Sequence, residues 1–399
     1  MIVRNLSVSN FRNHEGSLLS FHDGLNFLRG PNGAGKTAIL EALSLASSLR
    51  SFRAAKLEDL IQTGSETAKI EVVAGSQPHA ADPGWTAQFT VVLGKETGRL
   101  AQINGRTFRR SSEYLAQRFG SVELGFHCVV IQPTDHDLIR GDPSGRRSYW
   151  DRVLSAEDLT YLRELTRYQR VLMQRNALLR AGQPVLREFN DALVTHGARV
   201  TRCRMQWVFR ASRRLQDIGD ELVEDTVGLS ILYGTSYSFE NKEIEWKRGS
   251  HFTRLSDIPS LETLENAFHK TLEASRGQER VVGSTLTGPH REDWSLEFGH
   301  FPLKGHGSQG ETRAALLALK WTEIELFQEA TGHRPILLLD DLSSELDASR
   351  RRRLLELLGK TTLQVVVTTT EEEKDDGPHV GKTFRLGKQR GESHFRIFS

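Results

Sequence analysis

The 399-residue chain has little cysteine: two residues, Cys128 and Cys203, far apart. Two isolated thiols make no metal-binding spacing and no disulfide framework, so a reducing, cytoplasmic setting is expected. Long apolar runs are missing too. None approaches the roughly 18–20 residues of a membrane span, so no membrane partner is expected. The opening MIVRNLSVSNFRNHEG alternates like a strand and lacks a signal peptide's apolar core. There is no internal repeat and no low-complexity tract, which excludes solenoids and disordered arrays. Lysine is absent between 167 and 214. What remains is ordinary for a globular protein, 38% hydrophobic and 26% charged, and long enough for two or three domains.

The net charge of +2 conceals segregation. Residues 167–214 carry eleven arginines against Glu188 and Asp191, a local charge of +9, which leaves −7 for the rest. A block of that sign points to a polyanionic partner, with a plain solvated face as the alternative. Arginine grips phosphate in a bidentate way, so a track along a DNA backbone is the favoured reading. No zinc spacing or helix-turn-helix pattern suggests base-specific contacts.

Hydrophobic periodicity divides the chain in three. Residues 1–110 read as β-rich, with one helix from Lys36 to Leu49 and an Asn104-Gly105 hairpin turn. From Asp151, apolar residues at helical spacing predict a helical hairpin broken at AGQP (181–184). Its second arm runs from Val185 to about Glu224. A helix capped by Ser260 follows. Beyond Arg276 the β/α rhythm returns: a helix over 310–330, the apolar strand PILLLDD, a helix over 350–358, the strand TLQVVVTTT and a closing hairpin. The expected architecture is an α/β head split over 1–150 and 276–399, with a mainly helical domain inserted over 151–275.

GPNGAGKT, from Gly30 through Pro31, Asn32, Gly33, Ala34, Gly35 and Lys36 to Thr37, fits the phosphate-loop pattern. The glycines let the backbone wrap phosphate oxygens, Lys36 reaches the β and γ phosphates, and Thr37 ligates Mg²⁺. The strand-like GLNFLRG before it and the apolar helix after it supply the right context. PILLLDD delivers Asp340 to a strand end, where it can share the Mg²⁺ with Thr37. Asp341 follows, where a general base would orient the attacking water. ATP and Mg²⁺ are therefore the expected ligands. A second loop-to-helix junction lies at Ser308, Gln309, Gly310 and Glu311, whose N–H groups also suit an anion.

This SQGE segment resembles the signature motif of ABC-type ATPases, in which it caps the γ-phosphate held by a partner head. The resemblance makes Ser308 to Glu311 part of a shared nucleotide site and implies an ATP-dependent homodimer. Ser343, Glu345 and Asp347 would lie in the loop that crosses the dimer seam. Arg350–Arg353 would be a solvated face or a DNA contact. Thr368–Thr370 stand where these ATPases place their switch residue, commonly histidine.

Further segments carry a more specific likeness. NFRNH (10–14), SFRAAKLEDLIQTG (51–64), GDPSGRRSYWD (141–151) and GSTLTGPHRED (283–293), together with GPNGAGKT, SQGETR and LLLDDLSSELD, resemble the RecF family, whose heads are similar to those of the SMC-like ATPases. The 302 residues between Thr37 and Asp340 are too few for a long SMC coiled coil. The resemblance implies a DNA repair and replication ATPase that dimerises on ATP and binds single-stranded, gapped or junction DNA. With RecO and RecR it would promote RecA loading, and a weak, DNA-stimulated ATP hydrolysis would act as a release switch. It places Arg12 and Asn13 near the nucleotide. Where the family has Pro-Glu-Asp this chain has Pro133-Thr134-Asp135, and Gln132 before it is the candidate γ-phosphate sensor. Two other readings are weighed. An energy-coupling transporter ATPase would need a shorter insert and no DNA. An end-processing SMC-like ATPase would need a coiled-coil arm.

Overall fold

Helix α1 (Lys36–Ser48) shows how the head is assembled. Every residue from Ala38 to Ser47 is buried, as expected of a helix apolar all round. It packs on two different sheets, against β1 (Ile2–Phe11), β4 (Thr67–Gly75) and β5 (Thr86–Gly94) and against β8 (Cys128–Ile131) and β13 (Val365–Thr369). The computed structural model describes residues 1–54, 56–76, 84–117, 125–222, 228–237, 254–299, 301–341, 358, 362–370, 381–387 and 396–398.

The first sheet runs in the order β2 (His14–Ser20), β1, β4, β5, β6 (Gly98–Ile103), β7 (Arg106–Phe108), antiparallel throughout. Asn104 and Gly105 turn between β6 and β7 with φ of 49° and 78°, the left-handed pair that a two-residue hairpin demands. The short helix α2 (Ser111–Ala116) follows. The second sheet has the order β15 (Arg396–Phe398), β14 (Gly381–Gly387), β3 (Leu25–Arg29), β13, β12 (Ile336–Leu339), β8. Its strands from β14 to β8 are parallel, and β15 returns antiparallel on β14, as the expected closing hairpin does. β12 and β13 are buried along their whole length, which is why their sequences are apolar runs without alternation.

Compactness divides the chain into one unit of residues 1–134 with 327–399 and another of 135–326. The expected boundaries at 150/151 and 275/276 follow helical periodicity, and the two partitions differ for a physical reason. Helix α4 (Pro143–Glu157) and strand β10 (Asp293–Phe298) share one core, in which Trp150 and Trp294 lie 6.0 Å apart. Arg146 is forked onto Asp293, with both bonds 2.7 Å. Packing, which periodicity does not report, therefore assigns 135–150 and 276–326 to the second unit.

That unit also contains the one-turn helix α3 (Asp137–Arg140), the hairpin α5 (Leu159–Arg180) and α6 (Arg187–Leu222), and α7 (Leu261–Val282), begun by Ser260 as expected. A three-stranded sheet joins β9 (Leu229–Gly234), β10 and β11 (Phe301–Pro302). A short turn, α8 (Leu303–His306), precedes α9 (Gln309–Thr331), which runs across the division. The expected helix over 350–358 lies outside the described residues except Leu358, as do Ser343, Glu345, Asp347 and Arg350–Arg353. Among the described residues no helix is long and apolar enough to cross a membrane.

Candidate nucleotide site

Four parallel strands end at one level. Leu28 of β3 is paired with Thr368 of β13, Val367 with Leu339 of β12, and Leu339 with Ile131 of β8. Past these ends the chain places the phosphate loop, Thr368, Asp340 and Gln132 side by side. The carboxyl edge of a parallel sheet is where such folds bind ligands.

The loop is shaped by its glycines. Gly33 and Gly35 have φ of 80° and 93°, which side chains resist. A Cβ on Gly35 would lie 2.5 Å from His14 Nε2, so the loop also needs the room. Gly35 caps α1 without any side-chain hydrogen bond. Lys36 Nζ donates to the carbonyls of Gly30 (2.5 Å) and Pro31 (3.1 Å), folded over its own loop. Asn13 Nδ2 donates to the Gly33 carbonyl at 3.0 Å, and His14 Nε2 lies 3.1 Å from the Gly35 carbonyl. The main-chain oxygens of the loop are thereby held from outside.

Thr37 Oγ1 donates to Asp340 Oδ1 at 2.8 Å, linking the loop to β12 across 303 positions. Thr368 Oγ1 donates to the same oxygen at 2.9 Å and accepts from the Asp341 N–H at 2.7 Å. Burial raises the Asp340 carboxyl above its ordinary value, partly offset by these two hydroxyls and by nearby Arg53. Asp341 has φ of 51°, an uncommon left-handed conformation for aspartate. Gln132 is half-buried directly after β8, next to Asp340, whose N–H donates to the Ile131 carbonyl at 2.9 Å.

Arg12 is engaged with the helix that follows the phosphate loop. Its guanidinium forks onto Glu41 of α1, both bonds 2.8 Å, and donates to the Asp59 carbonyl. Glu41 is fully buried and also accepts from Ser51 Oγ. Arg12 thus holds α1 and the 51–61 segment together, and its neighbour Asn13 reaches the phosphate loop. His14, Glu41 and Arg53 are site neighbours that sequence reasoning did not select. Their contacts join positions 14 with 35 and 12 with 41, separations that leave no local pattern.

In the second unit, Ser308 to Glu311 form a capping box. Ser308 N–H donates to Glu311 Oε2 (2.7 Å), and Glu311 N–H donates to Ser308 Oγ (3.2 Å). These bonds hold the Glu311 carboxyl below its ordinary range. Arg140 donates to the Gly307 carbonyl at 3.1 Å, bracing the turn from below. Ser308 and Gln309 are exposed and Gly310 half-buried, so the helix start faces outward.

Among the described residues no cluster of three or more His, Cys, Asp or Glu could hold a metal. Thr37 and Asp340 instead place two oxygens together, the small donor set that Mg²⁺ takes beside phosphates.

Phosphate loop, paired strand acid and parallel sheet define a P-loop ATPase head. Residues 2–377 match the RecF/RecN/SMC N-terminal domain family. The chain belongs to this family and, within it, to the RecF proteins. It is 32% identical over 364 residues to the DNA replication and repair protein RecF of Halalkalibacterium halodurans, covering 90% of each chain. Its fold is similar to that of the recombination mediator protein RecF with ATP, of the RecFOR pathway. That likeness has a TM-score of 0.81 at 27% identity and covers 96% of both chains. An Smc head domain from Pyrococcus furiosus shares the fold at 16% identity and a TM-score of 0.52, covering 100% of this chain and 96% of its own. The expected fold class, an ABC/SMC-type ATPase head, is thereby established.

Proposed function

We propose that this chain is an ATP-dependent DNA-binding recombination mediator, acting in the cytoplasm on single-stranded, gapped or junction DNA. The observation that carries it is the triad Thr37–Asp340–Thr368 beside the phosphate loop, in a chain of the RecF family. The ATP-bound RecF of the RecFOR pathway supports the ligand and the pathway partners RecO and RecR. RecA loading would be the outcome.

Lys36 would leave the Gly30 and Pro31 carbonyls for the β and γ phosphates, an exchange of acceptors within reach of one side chain. Thr37 and Asp340 would hold Mg²⁺, which when bound neutralises charge on the phosphates. Asp341 would orient the attacking water, with its backbone fixed by Thr368. Gln132 would sense the γ-phosphate from the next strand. Ser308, Gln309, Gly310 and Glu311 would cap the nucleotide of a second copy, which makes dimerisation depend on ATP. Slow, DNA-stimulated hydrolysis would then release the dimer.

Sedimentation of the full chain with and without ATP-Mg²⁺ and a gapped duplex tests this. The expected result is a monomer that becomes a DNA-bound dimer only with nucleotide. Ser308→Arg should keep ATP binding and lose the dimer, whereas Lys36→Arg should bind ATP and hydrolyse it poorly. A chain that stays monomeric with ATP and ignores DNA would overturn the proposal.

A further inference from the structure

The eleven arginines of 167–214 are not equivalent. Arg175 and Arg204 are buried, Arg175 against Glu279 (2.6 Å) and Arg204 between Asp151 (2.8 Å) and Glu292 (2.9 Å). These two are core ion pairs and offer nothing to a partner. Six of the others fall in two stripes. On α5, Arg167 and Arg170 continue from Arg163, outside that block, at spacings of four and three, one face of a helix. On α6, Arg199, Arg202 and Arg213 share a face, with Arg210 at its margin. The stripe from 199 to 213 is about 21 Å long at the helical rise.

The two stripes meet. Glu164 of α5 accepts from Arg167 of its own helix at 3.0 Å, and lies 2.7 Å from His196 Nδ1 and 3.5 Å from Arg199 of α6. Glu164 is buried at this seam, and Glu157 is buried beneath Arg210 (3.2 Å). The acids of the face thus lie under its arginines, which they orient, and the outermost layer is guanidinium. Exposed acids of α6 sit at its ends, at Glu188, Asp191 and Asp217, and half-buried Asp158 starts α5. An ordinary solvated face mixes both signs in its outer layer.

We infer that this composite face of α5 and α6 is a phosphate-binding surface that takes the nucleic-acid backbone. The inference rests on the DNA-binding function proposed above. Arg163, Arg170, Arg202 and Arg213 have no carboxylate partner among the described residues, so their forks remain available for phosphate. Among the described residues of α5 and α6, the exposed large apolar side chain is Met173, and no aromatic ring is exposed. Base stacking needs such rings. The face therefore reads backbone charge and suits a duplex, whose phosphates supply about one charge per 1.7 Å of axis.

The test is duplex binding by the full chain with ATP-Mg²⁺, read by fluorescence anisotropy on a random-sequence duplex over a salt series. The variant Arg163→Gln/Arg170→Gln/Arg202→Gln/Arg213→Gln removes four exposed charges and no ion pair among the described residues. The slope of log affinity against log salt should flatten by roughly 3 to 4, about 0.9 per lost contact. Arg276→Gln/Arg280→Gln, exposed on α7, should keep the parent's slope. The single change Arg202→Gln gives the same reading at about one contact, should the fourfold variant fold poorly. An unchanged slope in a variant that binds DNA as the parent does would overturn the inference and leave the proposed function standing. A parent chain that ignores DNA would overturn both. Unchanged DNA binding with lost binding to polyglutamate would give the face to an acidic protein and overturn the inference.

Discussion

Two settings bury carboxylates in opposite ways: the end of β12 beside the phosphate loop, and the core of the helical unit. Around the phosphate loop the carboxylate of Asp340 is held by two hydroxyls, at 2.8 and 2.9 Å, with no ion pair among the described residues. In the helical unit carboxylates are matched by arginines: Arg204 with Asp151 and Glu292, Arg175 with Glu279, Arg152 with Glu323. A hydroxyl leaves an acid ready to exchange partners, because a neutral donor binds it weakly and a cation competes well. An arginine fork fixes the acid in place. The first arrangement suits a site that must take up a cation and phosphates. The second suits a scaffold that presents a surface.

The largest effect should follow from breaking the scaffold. Arg204 donates to Tyr161 Oη, the Pro289 carbonyl, Glu292 and Asp151 while fully buried. Arg204→Met would leave two acids without their cation and should destabilise the chain by about 3–5 kcal/mol in denaturant unfolding. Replacing Glu292 by leucine in the same chain should recover part of that loss, because the stranded charge is gone. A loss below about 1 kcal/mol for Arg204→Met would mean the network is not a fixed scaffold.

This scaffold also marks where the sequence stops being legible. The phosphate loop and the strand acid were readable because each is a local pattern: glycines at fixed spacing, or an apolar run ending in acids. The arginine block was readable as a charge, but not as a division of labour. Arg202 and Arg204 lie two positions apart, one exposed and one with 1% exposure. Nothing in the chain near them separates the two. What does is Glu292, 88 positions away. Arg12 shows the same limit, because the residue that claims its guanidinium is on α1, 29 positions on. The domain boundaries were set by periodicity, and the packing of Trp150 on Trp294 has no periodicity to report.

A smaller effect should follow from a base buried neutral in the same unit. His290 Nε2 lies 3.0 Å from the Thr285 carbonyl, so that nitrogen carries the proton, and Nδ1 accepts from Tyr168 Oη at 2.6 Å. Burial lowers its pKa to about 4, with Arg291, Arg147 and Arg204 adding to the depression. The unfolded chain takes up the proton near 6.5, the folded chain only near 4. This contribution is therefore present above pH 6.5 and lost as the pH falls toward 4. Between neutrality and pH 5 the loss should be about 2 kcal/mol. His290→Gln should flatten that part of the stability profile. A parallel decline in parent and variant would show that His290 is not held neutral.

The smallest effect belongs to the hydroxyl-held acid, and it separates stability from turnover. Thr368 is buried and bridges Asp340 to the Asp341 N–H. Thr368→Val keeps the shape and removes both bonds, so stability should fall by about 1–2 kcal/mol. Fewer hydroxyls on Asp340 should raise its carboxyl further, since burial then acts with less opposition. ATP turnover should fall by more than the stability loss explains, with its pH dependence moved upward. Thr368→Ser, which keeps the hydroxyl, should restore the pH profile. If valine lowers stability but leaves the pH profile of turnover in place, Thr368 braces the strand end and does not tune the acid.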